Sequence, residues 1–522
     1  MRSPFLGRWQ LESSTWRVVM VLLGFLLLTL PLSAGLPAYA KSNAAGPHAN
    51  SQLMQAAQDN PDQTFRVIVE GKGNHGRAAA DSVVKAKKHP KVADAGDIGV
   101  VTEVSGKDLA ELASDPAVKY VAVDAPLVST SLLSSIVDPS RLVSTYPKTI
   151  GAANLWGRWN GAITGAGVGV AVVDTGITPD RDFDSRLVVS KQFNNEANGT
   201  NDGSGHGTDV AGIIGGNSWN NWLALGQYIG VAPNANLINV KVGYSNGQTY
   251  TSDLVNGIDW AIANRQAYNI RVMNLSMVSS TAESYQTSII DAEVERAWFS
   301  GIFVVVSAGN NGPNTVQFPP ANDPFVVTVG AEDELGTSNP ADDTMVSWSS
   351  YGTTQDGFAK PEVAAPGRHI VSVLAGSNVL LALQFPDRLL GNSQYIWLSG
   401  TSMSAAVVSG AAALVFQAHP DWTNDQLKGA LMQAAKPVSG AGQGAGRIDV
   451  PSTIAVSGSA LANQGIPISG QLIGPNGATL YSTASWSTSS WSSSSWSSSS
   501  WSSSSWSSSS WSSSSDATSS GG

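Results

Sequence analysis

Four polar residues in this chain stand where nucleophilic chemistry is done. Asp174 ends the apolar run GVGVAVVD and is followed at once by Thr175-Gly176, a sharp exit from a strand. A carboxylate there either caps a turn or orients a neighbouring base, and alone it does not decide between the two. His206 lies in DGSGHGTDVAGIIGG and is the only one of six histidines with glycine on both sides. Flanking glycines leave an imidazole room for an acid and a substrate; the other reading is a surface histidine at a helix start. Ser402 follows Gly400-Thr401 and opens a stretch that stays small or apolar until Gln417, the pattern of a buried helix entered through a glycine turn. Free N–H groups and the positive end of a helix stabilise an oxyanion developing beside such a serine, although most serines at helix starts only cap. Asn310 ends the run VVVSAGN, where an amide either completes an oxyanion hole or holds a turn. The chain has no cysteine, so any nucleophile is an oxygen or a lysine.

These residues can act together only if the elements carrying them bring them to one edge. Nearly continuous apolar runs at 167–174, 236–242, 270–276, 302–309 and 325–331 have the pattern of parallel strands covered on both faces. Helical segments at 251–266 and 288–301 separate them. The alternation implies an α/β fold, a doubly wound, mainly parallel sheet with right-handed crossovers. In such sheets chemistry collects beyond the carboxyl ends of strands, where Asp174 and Asn310 fall. Upstream, strands at 65–71, 99–106 and 119–124 alternate with helices at 81–89 and 107–116, which makes residues 41–127 a small α+β module of their own. Residues 128–149, rich in Ser, Thr and Pro, read as a linker or processing region, and 150–455 as the main domain.

Both ends carry signals of another kind. Arg2, Arg8 and Arg17 precede a 13-residue apolar run at 18–30, then Pro31 and Ala38-Tyr39-Ala40. This is the pattern of a secretory signal peptide over residues 1–40, and the run falls short of the roughly 20 residues that span a bilayer. Export without a stable membrane anchor is expected, with stability drawn from packing or bound ions in place of disulfides. A formal net charge of -10 speaks against a nucleic-acid partner. Residues 456–522 form a low-complexity tail in which Trp486, Trp491, Trp496, Trp501, Trp506 and Trp511 recur every five residues. Neither helical nor strand spacing puts them on one face, so the tail is expected to be disordered. Its rings either stack on glycans or sit at a cell envelope, or the tail is a solvated extension.

The motifs DTG at Asp174, GHGT around His206, SAGN ending at Asn310 and GTSMS around Ser402 resemble those of the subtilisin-like serine proteases, the subtilases of peptidase family S8. Their order, Asp then His then Ser, is the one known for that family. Stretches at 230–242, 272–276, 348–352 and 360–367 extend the likeness over roughly 152–450. The resemblance implies a secreted serine endopeptidase that cleaves polypeptide substrates through an acyl-enzyme and needs no cofactor for its chemistry. Ser402 would be the nucleophile, His206 the base and Asp174 its orienter, with Asn310 and the Ser402 N–H binding the oxyanion. Ser276, Met277 and Val278 would line the substrate cleft. The module at 41–127 is similar to subtilase propeptides, which implies a proenzyme inhibited by its own propeptide.

Departures from the family are informative. Ala406 stands where a proline is usual, and Asp209 where a histidine is common. Met277-Val278 replace the usual Leu-Gly, a change that narrows the cleft. Two segments longer than a minimal subtilase, at 217–228 and 374–392, would shape the cleft rim or form a lid. Structural calcium is common in the family; Asp180, Asp182 and Asp184 either hold one or form a solvated acidic loop. Two other functions compete. A secreted esterase would require a G-x-S-x-G elbow and the order Ser, Asp, His, neither of which is present. A catalytically inactive binding or adhesion protein would use the tryptophan tail.

Overall fold

A computed structural model of the chain describes residues 48–49, 51–73, 76–124, 126–129, 144–156, 163–218, 227–457, 461–474 and 478–479. The signal peptide, most of the expected linker, residues 219–226 of the first long segment and the tryptophan repeat lie outside the described residues.

The small module is a four-stranded antiparallel sheet in the order β2-β3-β1-β4, from β1 (Thr64–Gly71), β2 (Lys91–Ala95), β3 (Gly99–Ser105) and β4 (Val118–Val123). Helices α1 (Ser51–Asp59), α2 (Gly76–Ala86) and α3 (Gly106–Ala113) accompany it. The strand period of two decides what faces what. Val67 and Val69 of β1 join the module's own core with Leu109 and Leu112, while Ile68 between them packs with Val101, Ala122, Val255 and Ile289. One face of the sheet therefore fills the module and the other fills its seam with the main domain. Strand β2 is not marked in the sequence because KVADA carries little apolar periodicity.

The main sheet has the order β14-β13-β12-β10-β6-β8-β7, with β15 also paired to β13. Its strands are β6 (Gly169–Asp174), β7 (Leu187–Gln192), β8 (Asn236–Lys241), β10 (Ile270–Leu275), β12 (Phe303–Ser307), β13 (Val327–Asp333), β14 (Thr344–Met345) and β15 (Val363–Pro366). All pairs are parallel except β13 with β14. Helices α4 (His206–Gly215), α5 (Thr251–Asn264), α6 (Ile289–Phe299), α7 (Thr401–Ala418) and α8 (Asn424–Ala434) flank it. The register pairs Val173 with Leu275 and Leu275 with Val306, so the carboxyl ends of β6, β10 and β12 come level. Helix α7 is apolar and long enough to cross a bilayer, yet it lies buried against β10, β12 and β13, with every residue from Thr401 to Phe416 inside the core. The short strand β5 (Pro126–Ser129) pairs antiparallel with both β9 (Gln248–Tyr250) and β11 (Met277–Ser279).

Two expected boundaries shift. Strand β5 runs through the expected division at 127/128, because its backbone has partners on both sides. The expected tail at 456–522 begins too early, since residues 461–474 pack onto the main domain. Ile468 and Leu472 are buried, and Glu295 on α6 accepts from the Ser469 N–H through both carboxylate oxygens at 3.0 and 2.8 Å. A chain ended after Gly474 is therefore expected to keep the full-length melting temperature. One ended after Ser457 should lose roughly 3–6 kcal/mol, from two buried aliphatic side chains at about 1.5–3 kcal/mol each. Calorimetry giving equal melting temperatures for the two chains would show that the segment adds nothing to the fold.

Candidate active site

Asp174, the last residue of β6, is wholly buried. Its Oδ1 accepts from the Thr175 N–H and faces His206 Nδ1, each at 2.7 Å. A carboxylate can only accept, so Nδ1 is the donor, and in the neutral ring Nε2 is the basic nitrogen. Nε2 is buried and has no hydrogen-bond partner. Burial pulls the imidazole pKa down, but the charge and hydrogen bond of Asp174, with the charge of Asp202 behind it, outweigh burial and leave His206 raised above its ordinary value.

The glycines around His206 serve backbone geometry. Gly205, the residue before α4, adopts φ 95°, a conformation that other residues rarely take. At Gly207 a Cβ would stand 2.3 Å from the Gly176 carbonyl oxygen and 3.1 Å from Asp174 Cβ, so only glycine lets the base helix approach the acid's loop this closely.

Asp202 also belongs to the site, although the motifs do not single it out. It is buried and accepts from the Ser204, Gly205 and Thr208 N–H groups and from the Thr175 and Thr208 hydroxyls, all between 2.8 and 3.1 Å. Thr175 Oγ1 in turn accepts from the Gly207 N–H at 3.0 Å. One carboxylate thus ties the loop after Asp174 to the helix start carrying His206. The available signal was an Asp four residues before the histidine, a capping type at a helix start. Asp209 is also buried, and neither of its carboxylate oxygens has a hydrogen-bond partner. Burial, then Asp202 and Asp174, push its pKa far up.

Ser402, the second residue of α7, is buried and donates to the Ser276 carbonyl at 3.3 Å, while Ser276 Oγ donates to the Ser402 carbonyl at 3.1 Å. The serine–imidazole bond expected of an acting pair is therefore not made in this state. Bonds of this kind often tighten only around a positioned substrate. Asn310 Oδ1 accepts from the Thr401 N–H at 3.0 Å and the Thr401 hydroxyl at 3.1 Å. These contacts fix the amide flip, with the carbonyl toward the helix start and Nδ2 on the opposite side.

Met277 and Val278 are buried in β11, opposite Ser129 and Val128 of β5. The expected cleft residues thus form one wall of a slot that an extended chain already fills, and β9 forms the other. The long segment at 374–392 is bolted down rather than loose: the Leu380 and Leu381 N–H groups donate to Gly203 and Ser204 carbonyls at 3.0 Å, next to His206. The three aspartates considered for calcium do not converge. Asp182 accepts from the Tyr395 hydroxyl, Asp180 from the Asp182 N–H and Asp184 from Asn217. Among the described residues no three acidic or histidine side chains gather as a metal site, and Asp182 is buried against the Tyr395 hydroxyl, so it does not lie in a solvated loop.

Residues 165–466 match the Subtilase family, Peptidase_S8. The chain belongs to this family of serine-type endopeptidases. This subtilase is 38% identical over 273 residues to serine protease AprX of Bacillus subtilis, a match covering 51% of the present chain and 60% of AprX. It is 32% identical to an alkaline protease of Alkalihalobacillus alcalophilus, across 73% of that protein. A thermostable alkaline protease of Halalkalibacterium halodurans is 30% identical over 381 residues, 88% of its length.

The charge network gives a direct test. In nuclear magnetic resonance titrations His206 is expected to titrate above the ordinary imidazole value of 6.5. Its pKa should fall in Asp202→Asn, and fall further in Asp174→Asn. An unmoved titration in Asp202→Asn would show that Asp202 exerts no charge effect on the base.

Proposed function

We propose that this subtilase is a secreted serine endopeptidase made as a proenzyme, with residues 48–129 as the described part of its propeptide. The observation that carries the reading is strand β5. It lies as an extended chain between β9 and β11 and runs toward Ser276, whose carbonyl holds Ser402 Oγ. A site that already grips a backbone from both sides through main-chain hydrogen bonds is suited to polypeptide substrates.

Ser402 Oγ attacks the carbonyl of the bond to be cut and passes its proton to His206 Nε2. Asp174 stabilises the imidazolium that forms. The oxyanion is met by Asn310 Nδ2 and the Ser402 N–H at the positive end of α7. His206 then gives the proton to the leaving amine, and water releases the acyl group from Ser402 by the same steps in reverse. Acid, base, nucleophile and donors all come from the chain, so the chemistry calls for no cofactor. Extracellular location follows from the signal-peptide pattern at 1–40.

Treatment of the processed protein with a phosphonyl fluoride should place one adduct on Ser402 and stop casein hydrolysis, and Ser402→Ala should abolish both. An active protein with an unmodified Ser402 would sink the assignment. Asn310→Leu is expected to lower kcat by about 10²–10³ with little change in KM, the range already known for a donor of this kind in subtilisin. Maturation should cut just after β5, so sequencing of the mature N-terminus is expected to begin within a few residues of Ser129. A mature chain that retains Pro126–Ser129 would contradict the reading of β5 as the propeptide's end.

A further inference from the structure

The upstream end of the slot holds a feature that the cleavage chemistry does not use. Arg66 of β1 reaches across the seam and places its guanidinium over the Tyr250 ring, 4.7 Å from the centroid. Its Nε donates to Asp124 at 2.6 Å. Tyr244 stands edge-on to Tyr250 at 5.9 Å and 89°. Asp253, in the first turn of α5, is partly buried beside Arg66 and Asp124; burial and then Asp124 push its pKa up to about 7, so above that pH it adds its charge to the field at the guanidinium. Arg66 and Asp124 belong to the propeptide and depart with it. Tyr244, Tyr250 and Asp253 belong to the main domain and remain, two aromatic rings and a carboxylate around the place a guanidinium has left.

The place is also on a substrate's path. Tyr250 lies opposite Pro126 in the β5–β9 register, and Met277 opposite Ser129 in the β5–β11 register. Ser276, next to Met277, is the residue that holds Ser402. Counting the substrate residue opposite Ser276 as the first before the bond cut, Ser129's place is the second and Pro126's is the fifth. A substrate following β5 therefore has its fifth residue opposite Tyr250, with its sixth one position beyond that pair.

We propose that Tyr250, Tyr244 and Asp253 form a cation subsite in the mature enzyme that takes an Arg or Lys side chain from the fifth or sixth residue before the cleaved bond. The proposal rests on the proteolytic reading above. The ring face attracts a cation through its quadrupole and the carboxylate through its charge, and neither has an equivalent attraction for an acidic or aliphatic side chain. Arg66 is the guanidinium already seated there.

The test uses mature enzyme and internally quenched octapeptides that differ only at the fifth and sixth positions, with a tetrapeptide anilide that lacks both. The expected kcat/KM for Arg exceeds that for Ala by about threefold to tenfold, with Glu below Ala. The Arg-to-Ala ratio should shrink as salt is raised. It should survive in Tyr250→Phe, which keeps a ring, and collapse toward one in Tyr250→Leu and in Asp253→Asn. Because each ratio is internal to one variant, loss of folded enzyme does not mimic the effect. Cleavage of the anilide by the wild type with a ratio near one would overturn the subsite and leave the proteolytic reading standing. An undiminished ratio in Tyr250→Leu would also overturn it. Failure to cleave the anilide at all would overturn both.

Discussion

The 2.7 Å contact between Asp174 and His206 is the constraint around which the main domain is arranged. A buried carboxylate is tolerable only where its charge is met by donors, and here one oxygen carries both the Thr175 N–H and the imidazole. That distance requires a strand end and a helix start to approach more closely than side chains normally permit. The approach needs no Cβ at Gly207, a positive φ at Gly205 and a second carboxylate, Asp202, to tie the two backbones together. The parallel register then brings the end of β10, with Ser276, level with the end of β6, and Ser276 locks to the start of α7 through reciprocal bonds with Ser402. Acid, base and hydroxyl come from three elements far apart in sequence, and the sheet is what makes them neighbours.

Much of this could be read from residues alone, for definite reasons. The central strands are buried on both faces, so their sequences are continuous apolar runs; β6, β8, β10 and β12 fall within the stretches those runs mark, and β13 runs two residues past its stretch, through Glu332 and Asp333. Asp174 and Asn310 were legible because a polar residue ending such a run has few other reasons to be there. Strand β7 was not legible, since LVVSKQ has no apolar alternation, none of its residues is fully buried and Lys191 is exposed. Strand β15, Val363–Pro366, is four residues long and ends in proline, which hides it. Strand β5 could not have been found by periodicity, because its partners lie more than a hundred residues downstream and its pairing is made by backbone atoms. The role of Asp202 was hidden for a similar reason: three of its five donors are main-chain groups.

A chain without cysteine must hold itself together in other ways, and the interior shows how. Lys428 is buried, and its ammonium donates to the carbonyls of Pro324, Phe325 and Val326 and to Glu362, joining α8 to the sheet. Arg447 is buried with Asp343 at 2.7 Å. These pairs do for non-local segments what a crosslink does elsewhere, although their net contribution is small once desolvation is counted. The larger part of the stabilisation is the apolar core around α7, whose six alanines and Gly410 let it lie close to β10, β12 and β13 and to α4.

Strand β5 closes a gap that the main domain cannot close by itself. With β5 in place, β9 and β11 both have a partner. Withdrawn, it leaves two facing rows of unsatisfied N–H and C=O groups about 10 Å apart, a width of two strand spacings that admits one extended chain and no more. Such a pair of edges reads backbone before it reads side chains. It is open to any unfolded segment of adequate reach, including one from another copy of the same protein.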